Sequence, residues 1–235
     1  MTGRLTTAGS GPRDSAVLHI KPVARGRCCG AFGVENHESE RMTQAAFQFG
    51  DCLPTLDAGR VQLRWLTNSD IPALLSVFGD PEVTRYWGFA MLPDLAAAAA
   101  LLAEIHKEFR SGNLFQWGVE ITGGQLAGTC TLAHIDLANR RAELGFALGR
   151  AFWGRGYVAA ALPALLKFAF EGLGLHRVFA DTDPRNIRSI RVLERLGFLR
   201  EGVLRGHYLV QGEPQDAVVY GLLQSEWNRV AEPKA

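Results

Sequence analysis

The chain has 235 residues, 47% of them hydrophobic, enough to fill one packed domain of ordinary size and too few for a comfortable second. Its 25 basic and 24 acidic side chains leave a net charge of +1, so the overall balance points to neither nucleic acid nor an anionic membrane as a partner. No window holds the roughly 18 uninterrupted apolar residues that span a bilayer, and the N-terminus lacks the apolar core of a secretion signal, so the reading is cytoplasmic.

Residues 1–50 recur in Gly, Arg, Ser and Thr without a sustained period, which predicts a flexible extension or an overlong gene start, with Met42 as an alternative first residue. Residues 51–235 then form a single domain. Val61-Gln62-Leu63-Arg64-Trp65-Leu66 alternates like a half-buried strand, and Asn68 or Ser69 caps a helix running to Phe78 and closed by Gly79-Asp80-Pro81. An alanine-rich helix follows over about 94–110, stopping at Ser111-Gly112-Asn113. Strands over 115–122 and 125–134 join through Thr122-Gly123-Gly124, a hairpin signal.

After a polar turn at Asn139-Arg140 comes the most informative stretch: a strand over 141–149, a turn rich in Gly and Arg, and a helix from Arg155 to Glu171. The first four N–H groups of a helix lack intrahelical partners and sit at the positive end of its dipole, so this turn is built to receive an anion. Gly154 and Gly156 carry no side chain that would keep a phosphate from those amides. The helix stops at Gly172-Leu173-Gly174. His176 to Asp181 is the next strand, parallel to the one before the helix. A helix over Asn186–Leu196 and a hairpin over about 199–211 and 215–223, turning at Gly212-Glu213-Pro214, complete a mixed α/β fold. One mostly antiparallel sheet is flanked by about four helices.

The four cysteines, Cys28, Cys29, Cys52 and Cys130, have neither zinc nor disulfide spacing and read as reduced thiols. The six histidines are scattered singly, and no metal is assigned.

Over residues 53–228 the order of elements and motifs resembles the GNAT superfamily of acetyl-CoA-dependent N-acetyltransferases, most closely its RimJ/RimL type, which acts on ribosomal-protein N-termini. The resemblance is carried by Arg60-Val61-Gln62-Leu63-Arg64 with Asp70, Asp80-Pro81-Glu82-Val83, Ala142-Glu143-Leu144-Gly145-Phe146, Trp153-Gly154-Arg155-Gly156-Tyr157, and Asn186-Ile187-Arg188-Ser189 ahead of Leu196-Gly197-Phe198. It implies that the sheet splays between the fourth and fifth predicted strands and that acetyl-CoA lies in the cleft. Its pantetheine would pair with backbone at Phe146, Ala147 and Leu148, and its pyrophosphate would rest on amides of Phe152, Trp153, Gly154, Arg155, Gly156, Tyr157 and Val158, with Asn186 close by. Arg150 and Arg155 are expected to add charge. Three positions depart from the family: Ala151 where the turn often begins with Gln or Arg, Ala160 where a Glu is common, and Leu193 where many members place a Tyr acid. Ser189 is the substitute acid, because Asn186, Ser189 and Leu193 share a helical face.

Direct acetyl transfer needs a neutral amine, a held carbonyl and a proton for the departing thiolate. An α-amine with pKa near 8 is roughly a tenth neutral at pH 7, a lysine only about 4 parts in ten thousand, a gap of roughly 3 kcal/mol. Glu143 is the candidate base, and the backbone N–H near Leu148 the candidate oxyanion donor. Tyr86 and Trp87, in the loop Thr84 to Phe89, and His134 are assigned to the acceptor side, the last from the family layout. The acceptor is a small-molecule amine or a protein N-terminus. The final hairpin offers an edge to a second copy of the chain.

Two alternatives stand beside this reading. A GNAT-fold module could bind acyl-CoA without turnover, and the substitutions at Ala160 and Leu193 allow it. Gly154 to Ala159 also fits the G-x-G-x-x-A dinucleotide fingerprint, with Asp181 as a ribose-binding acid, although Arg150 to Trp153 separate strand from glycine and little chain remains for further repeats.

Overall fold

A computed structural model describes residues 50–87, 90–210 and 212–231. Residues 1–49 of the predicted extension, Met42 among them, and Gly88 and Phe89 lie outside the described residues. Among them run strands β1 (Leu56–Asp57), β2 (Val61–Arg64), β3 (Leu114–Ile121), β4 (Gln125–Asp136), β5 (Arg141–Leu148), β6 (Arg177–Thr182), β7 (Leu199–Val210) and β8 (Glu213–Leu223). The helices are α1 (Ile71–Phe78), α2 (Pro81–Thr84), α3 (Leu95–Arg110), α4 (Tyr157–Lys167), α5 (Ile187–Arg195) and α6 (Gln224–Ala231). The four predicted helices are α1, α3, α4 and α5; α2 and α6 are additions. Helix α4 begins at Tyr157 rather than Arg155, because Gly156 takes the left-handed conformation and serves as its N-cap. It gives way at Phe168 to a single π-turn ending at Gly172.

One sheet runs in the order β1-β2-β3-β4-β5-β6-β8-β7, antiparallel except between β5 and β6. After Asp181 the chain returns as an antiparallel hairpin, not as further parallel repeats, which removes the dinucleotide-fold alternative.

Alternation sorts the strand side chains between two layers. Phe115, Trp117, Ala142, Leu144, Val178 and Ala180 join a core built against α4, whose Ala161, Leu162, Leu165 and Leu166 are fully buried. On the other face Leu66, Leu114, Leu126 and Ala147 meet Leu74 and Val77 of α1 and Leu102 and Ile105 of α3. Burial of each Leu, Ile, Val or Phe among them contributes about 1.5–3 kcal/mol. A third stabilising feature is ionic. The Arg64 guanidinium donates to both oxygens of buried Asp70, at 2.8 Å each, and also to Glu120. Asp70 in turn accepts from the Thr67 amide at 2.8 Å and so opens the turn into α1.

Candidate active site

The parallel pairing of β5 with β6 lasts only three residues, Arg141 with Arg177, Ala142 with Val178, and Glu143 with Phe179. Beyond Glu143 the two strands part, between the fourth and fifth predicted strands as expected. The ladder on the far side of β5 fixes what faces the gap. The Gly149 amide donates to the Ala127 carbonyl at 2.9 Å, and Gly128 lies opposite Leu148. By the alternation of an antiparallel ladder, the backbone groups of Ala147 and Gly145 then point to β4, and those of Phe146 and Leu148 point into the gap. The close approach of the strands depends on Gly128: a Cβ there would sit 2.0 Å from the Ala147 carbonyl oxygen.

A one-turn 3₁₀ segment, Arg150–Phe152, carries the chain off the end of β5 into the glycine turn. Trp153 fastens this turn to the strand by donating its indole Nε1–H to the Leu148 carbonyl at 2.8 Å. Gly154 and Gly156 have φ of +72° and +77°. The space beside the Gly154 Cα is open, so backbone conformation rather than side-chain bulk requires glycine there. No side chain caps the start of α4, which leaves its first amides directed at the turn. Two guanidiniums reach this turn from elsewhere in the chain: Arg60 lies 5.6 Å from the Tyr157 ring centroid, and Arg188 4.6 Å from that of Trp153. Neither was among the sequence candidates, since each contact joins residues far apart in the chain and leaves no local pattern. Arg155 is exposed beside them. Arg150, expected to add charge here, instead pairs with Asp80 at 3.2 Å, because the 3₁₀ segment directs it back toward α2.

The other end of the gap is polar. Glu143 and Asp181 share the sheet face opposite α4, as their neighbours Ala142 and Ala180 are in the α4 core. His134 donates its Nδ1–H to Glu143 Oε2 at 2.7 Å; a carboxylate can only accept, which fixes that nitrogen as the donor. The Glu143 bond, opposed by partial burial and aided by the charges of Glu143 and Asp181, raises the His134 imidazole above its ordinary value. Burial and the nearby Glu143 push the Asp181 carboxyl up, against a hydrogen bond from the Tyr208 hydroxyl at 2.7 Å and the charges of His207 and His134. Tyr208 is itself raised, first by burial and then by the Asp181 charge. His207 Nε2 is 3.6 Å from Asp181. Thus four strands deliver ionisable groups to one place. Sequence reasoning had singled out only Glu143 and His134 for this role; Asp181, His207 and Tyr208 were missed.

An opened strand edge running into a glycine-lined anion nest fits an elongated ligand ending in a diphosphate. Residues 60–199 match the family model described as an acetyltransferase (GNAT) domain. The chain belongs to the GNAT family. It is an N-acetyltransferase, 32% identical over 176 residues to the uncharacterized N-acetyltransferase p20 of Bacillus licheniformis, a match covering 74% of this chain and 99% of that one. The ribosomal protein uS5-alanine N-acetyltransferase of Escherichia coli is 28% identical over 133 residues, 56% of this chain and 67% of that one. The fold is shared with a solved spermidine N-acetyltransferase from Vibrio cholerae in complex with CoA and spermine, at TM-score 0.65 and 22% identity, covering 72% of this chain and 98% of that one.

In this GNAT domain Asn186 and Ser189 lie just past the C-terminal end of β6. Asn186 is the N-cap of α5, its Oδ1 accepting from the Ser189 amide at 3.2 Å. Its side-chain oxygen is therefore committed to the helix. The Ser189 hydroxyl is half-buried and has no partner among the described residues, while Leu193, on the same helical face, is 1% exposed and belongs to the core. Tyr86 is flanked by Arg85 and Arg185, at 5.5 and 5.7 Å, and Arg185 is anchored to Asp183; this brings the predicted acceptor loop beside the start of α5. Trp87 packs edge-on against Phe78 at 5.5 Å, so at least one edge of its ring serves the core. Among the described residues no group of His, Cys, Asp and Glu is arranged to hold a metal, and no helix is long and apolar enough to cross a membrane.

Proposed function

We propose that this chain moves the acetyl group of acetyl-CoA directly to a primary amine, a protein N-terminal α-amine or a small-molecule amine, in the cytoplasm. The observation that carries the reading is the open edge of β5, bounded by the glycine turn at one end and by Glu143 at the other. From Leu148 back to Glu143 is about 16 Å of strand at ~3.3 Å per residue, a reach matched to a pantetheine arm. Phe146 and Leu148 hold that arm, Ala147 being turned to β4 against expectation, and residues Gly154 to Val158 with Arg60 and Arg188 hold the phosphates, because the amides of Phe152 and Trp153 are taken by the Gly149 and Arg150 carbonyls at 2.9 and 3.2 Å. Acetyl-CoA supplies an activated carbonyl carbon with a thiolate leaving group.

The amine nitrogen forms its bond to that carbon as the C–S bond breaks. The proton lost by the amine leaves toward Glu143, and the thiolate takes one from Ser189, which regains a proton from solvent as Glu143 releases its own. The Leu148 N–H faces the gap at its phosphate end, about 16 Å of strand from Glu143, so it serves the cofactor arm and not the carbonyl oxygen that sequence reasoning had given it. Tyr86, Trp87 and His134 border the acceptor. The uS5 and spermidine enzymes named above act on an α-amine and a polyamine, and both amine types fit this reading. The outer strand β7, with Leu199, Val203, Leu204 and Leu209 exposed, is the edge on which a second copy would pair.

The test is release of free thiol from acetyl-CoA with a panel of N-terminal peptides, polyamines and aminoglycosides. Amine-dependent release supports the reading and names the acceptor class. Binding of acetyl-CoA without release by any amine favours a silent acyl-CoA-binding module.

A further inference from the structure

His134 occupies an unusual backbone. The β4–β5 register breaks between Ala133 and Asp136, and at the break His134 has φ of +49°, in the left-handed region. Non-glycine residues are uncommon there, and such positions cluster at functional sites. The irregularity has a definite result. Ala133 lies opposite Glu143 and shares its face, so unbroken alternation would send His134 to the α4 side. The bulge turns it onto the Glu143 side, where Nδ1 binds the carboxylate. Nε2 has no partner among the described residues, and 47% of the side chain is exposed. Glu143 is also the last paired residue before the strands part, so this imidazole stands at the acceptor end of the gap.

We propose that His134 is the catalytic base of the transfer, with Glu143 as its positioning residue. The inference rests on the transferase reading above and replaces a direct role of Glu143 in proton removal. The proton passes from the attacking nitrogen to the Nε2 lone pair, giving an imidazolium stabilised by the Glu143 carboxylate through Nδ1–H. The amine nitrogen keeps the electron pair that becomes the N–C bond. A base works best with a pKa near the operating pH, which favours an imidazole over a bare carboxylate. The charged and titratable groups facing His134 are Glu143 from β5, Asp181 from β6, and, through Asp181, His207 and Tyr208 from β7.

The experiment is kcat/KM for thiol release from acetyl-CoA between pH 5.5 and 9, using the best acceptor of the panel. It compares the unsubstituted chain with His134→Asn, which tolerates a left-handed backbone, His134→Gln, and Glu143→Gln. We expect an acidic limb centred above the ordinary imidazole value of about 6.5. Both His134 variants lose that limb, keeping only the one that follows the acceptor amine's own ionisation, and lose about 100- to 10,000-fold in kcat/KM with acetyl-CoA affinity unchanged, whereas Glu143→Gln keeps the enzyme's limb and shifts it to lower pH. Retention of rate and limb by either His134 variant overturns the proposal and leaves the transferase reading standing. If the unsubstituted chain binds acetyl-CoA but releases no thiol with any amine, the transferase reading fails and this proposal falls with it.

Discussion

Replacing Trp153 with phenylalanine isolates the bond that fastens the glycine turn to the end of β5. The indole donates to the Leu148 carbonyl at 2.8 Å, and phenylalanine keeps a ring beneath Arg188 while removing only that donor. A neutral hydrogen bond of this kind contributes about 1 kcal/mol net. In a domain of this size that lowers Tm by about 2–4 °C. If the turn must be held against β5 to accept acetyl-CoA, the same energy weakens apparent affinity by at most about fivefold, since binding is reduced by the fraction of molecules with the turn in place. Thermal melts and calorimetric titration with acetyl-CoA read both quantities. Arg188→Ala is the contrast: its effect on affinity is electrostatic and shrinks with added salt, while that of Trp153→Phe does not. If Trp153→Phe changes neither Tm nor affinity, the indole bond does not fasten the turn.

Gly128→Ala is expected to prevent folding or cost more than about 4 kcal/mol, because the new Cβ meets backbone that cannot step aside; Gly154→Ala meets only the left-handed penalty of about 1–2 kcal/mol. Denaturant titration of the two variants separates crowding from conformation. Arg64→Met leaves Asp70 buried without its cation and is expected to cost about 2–4 kcal/mol, somewhat below a fully buried pair because Arg64 is 22% exposed. Although burial opposes it, the Arg64 and Thr67 bonds hold the Asp70 carboxyl below its ordinary range. Its contribution is therefore present above the unfolded value of about 3.9 and is lost as pH falls through the folded one, so Asp70→Asn flattens the fall in stability below about pH 4. Ser189→Ala is expected to lower kcat about 100-fold while leaving acetyl-CoA affinity unchanged, as measured by steady-state thiol release; an unaltered kcat removes Ser189 as the acid.

The long elements were legible because their signals are local. Alternation marks β2, the Thr122-Gly123-Gly124 hairpin signal marks β3 and β4, and an alanine run marks α3. What was missed lacks such signals. β1 is two residues long and exists through its partners in β2, Leu63 and Gln62. Asp80-Pro81 was read as the stop of one helix, yet it is also the start of α2, since Pro fits the first turn and the Asp80 side chain accepts from the Glu82 amide at 2.9 Å. The same dipeptide serves both purposes, and nothing nearby in sequence separates them.

The acceptor end shows a deeper limit. Glu143 was found because it precedes the strand edge that opens, and Asp181 was noticed only for its place in a competing fingerprint. Its partners His207 and Tyr208 lie more than 25 residues further on, across another strand. His134 was assigned to this region from family layout alone, for a strand read as regular over 125–134 puts it on the wrong face. A single left-handed residue reverses that placement and brings the imidazole to the carboxylate. Alternation tells where side chains go only while the ladder is unbroken. In this domain the break falls at the residue we propose as the base, so the strand pattern was least reliable where an assignment mattered most.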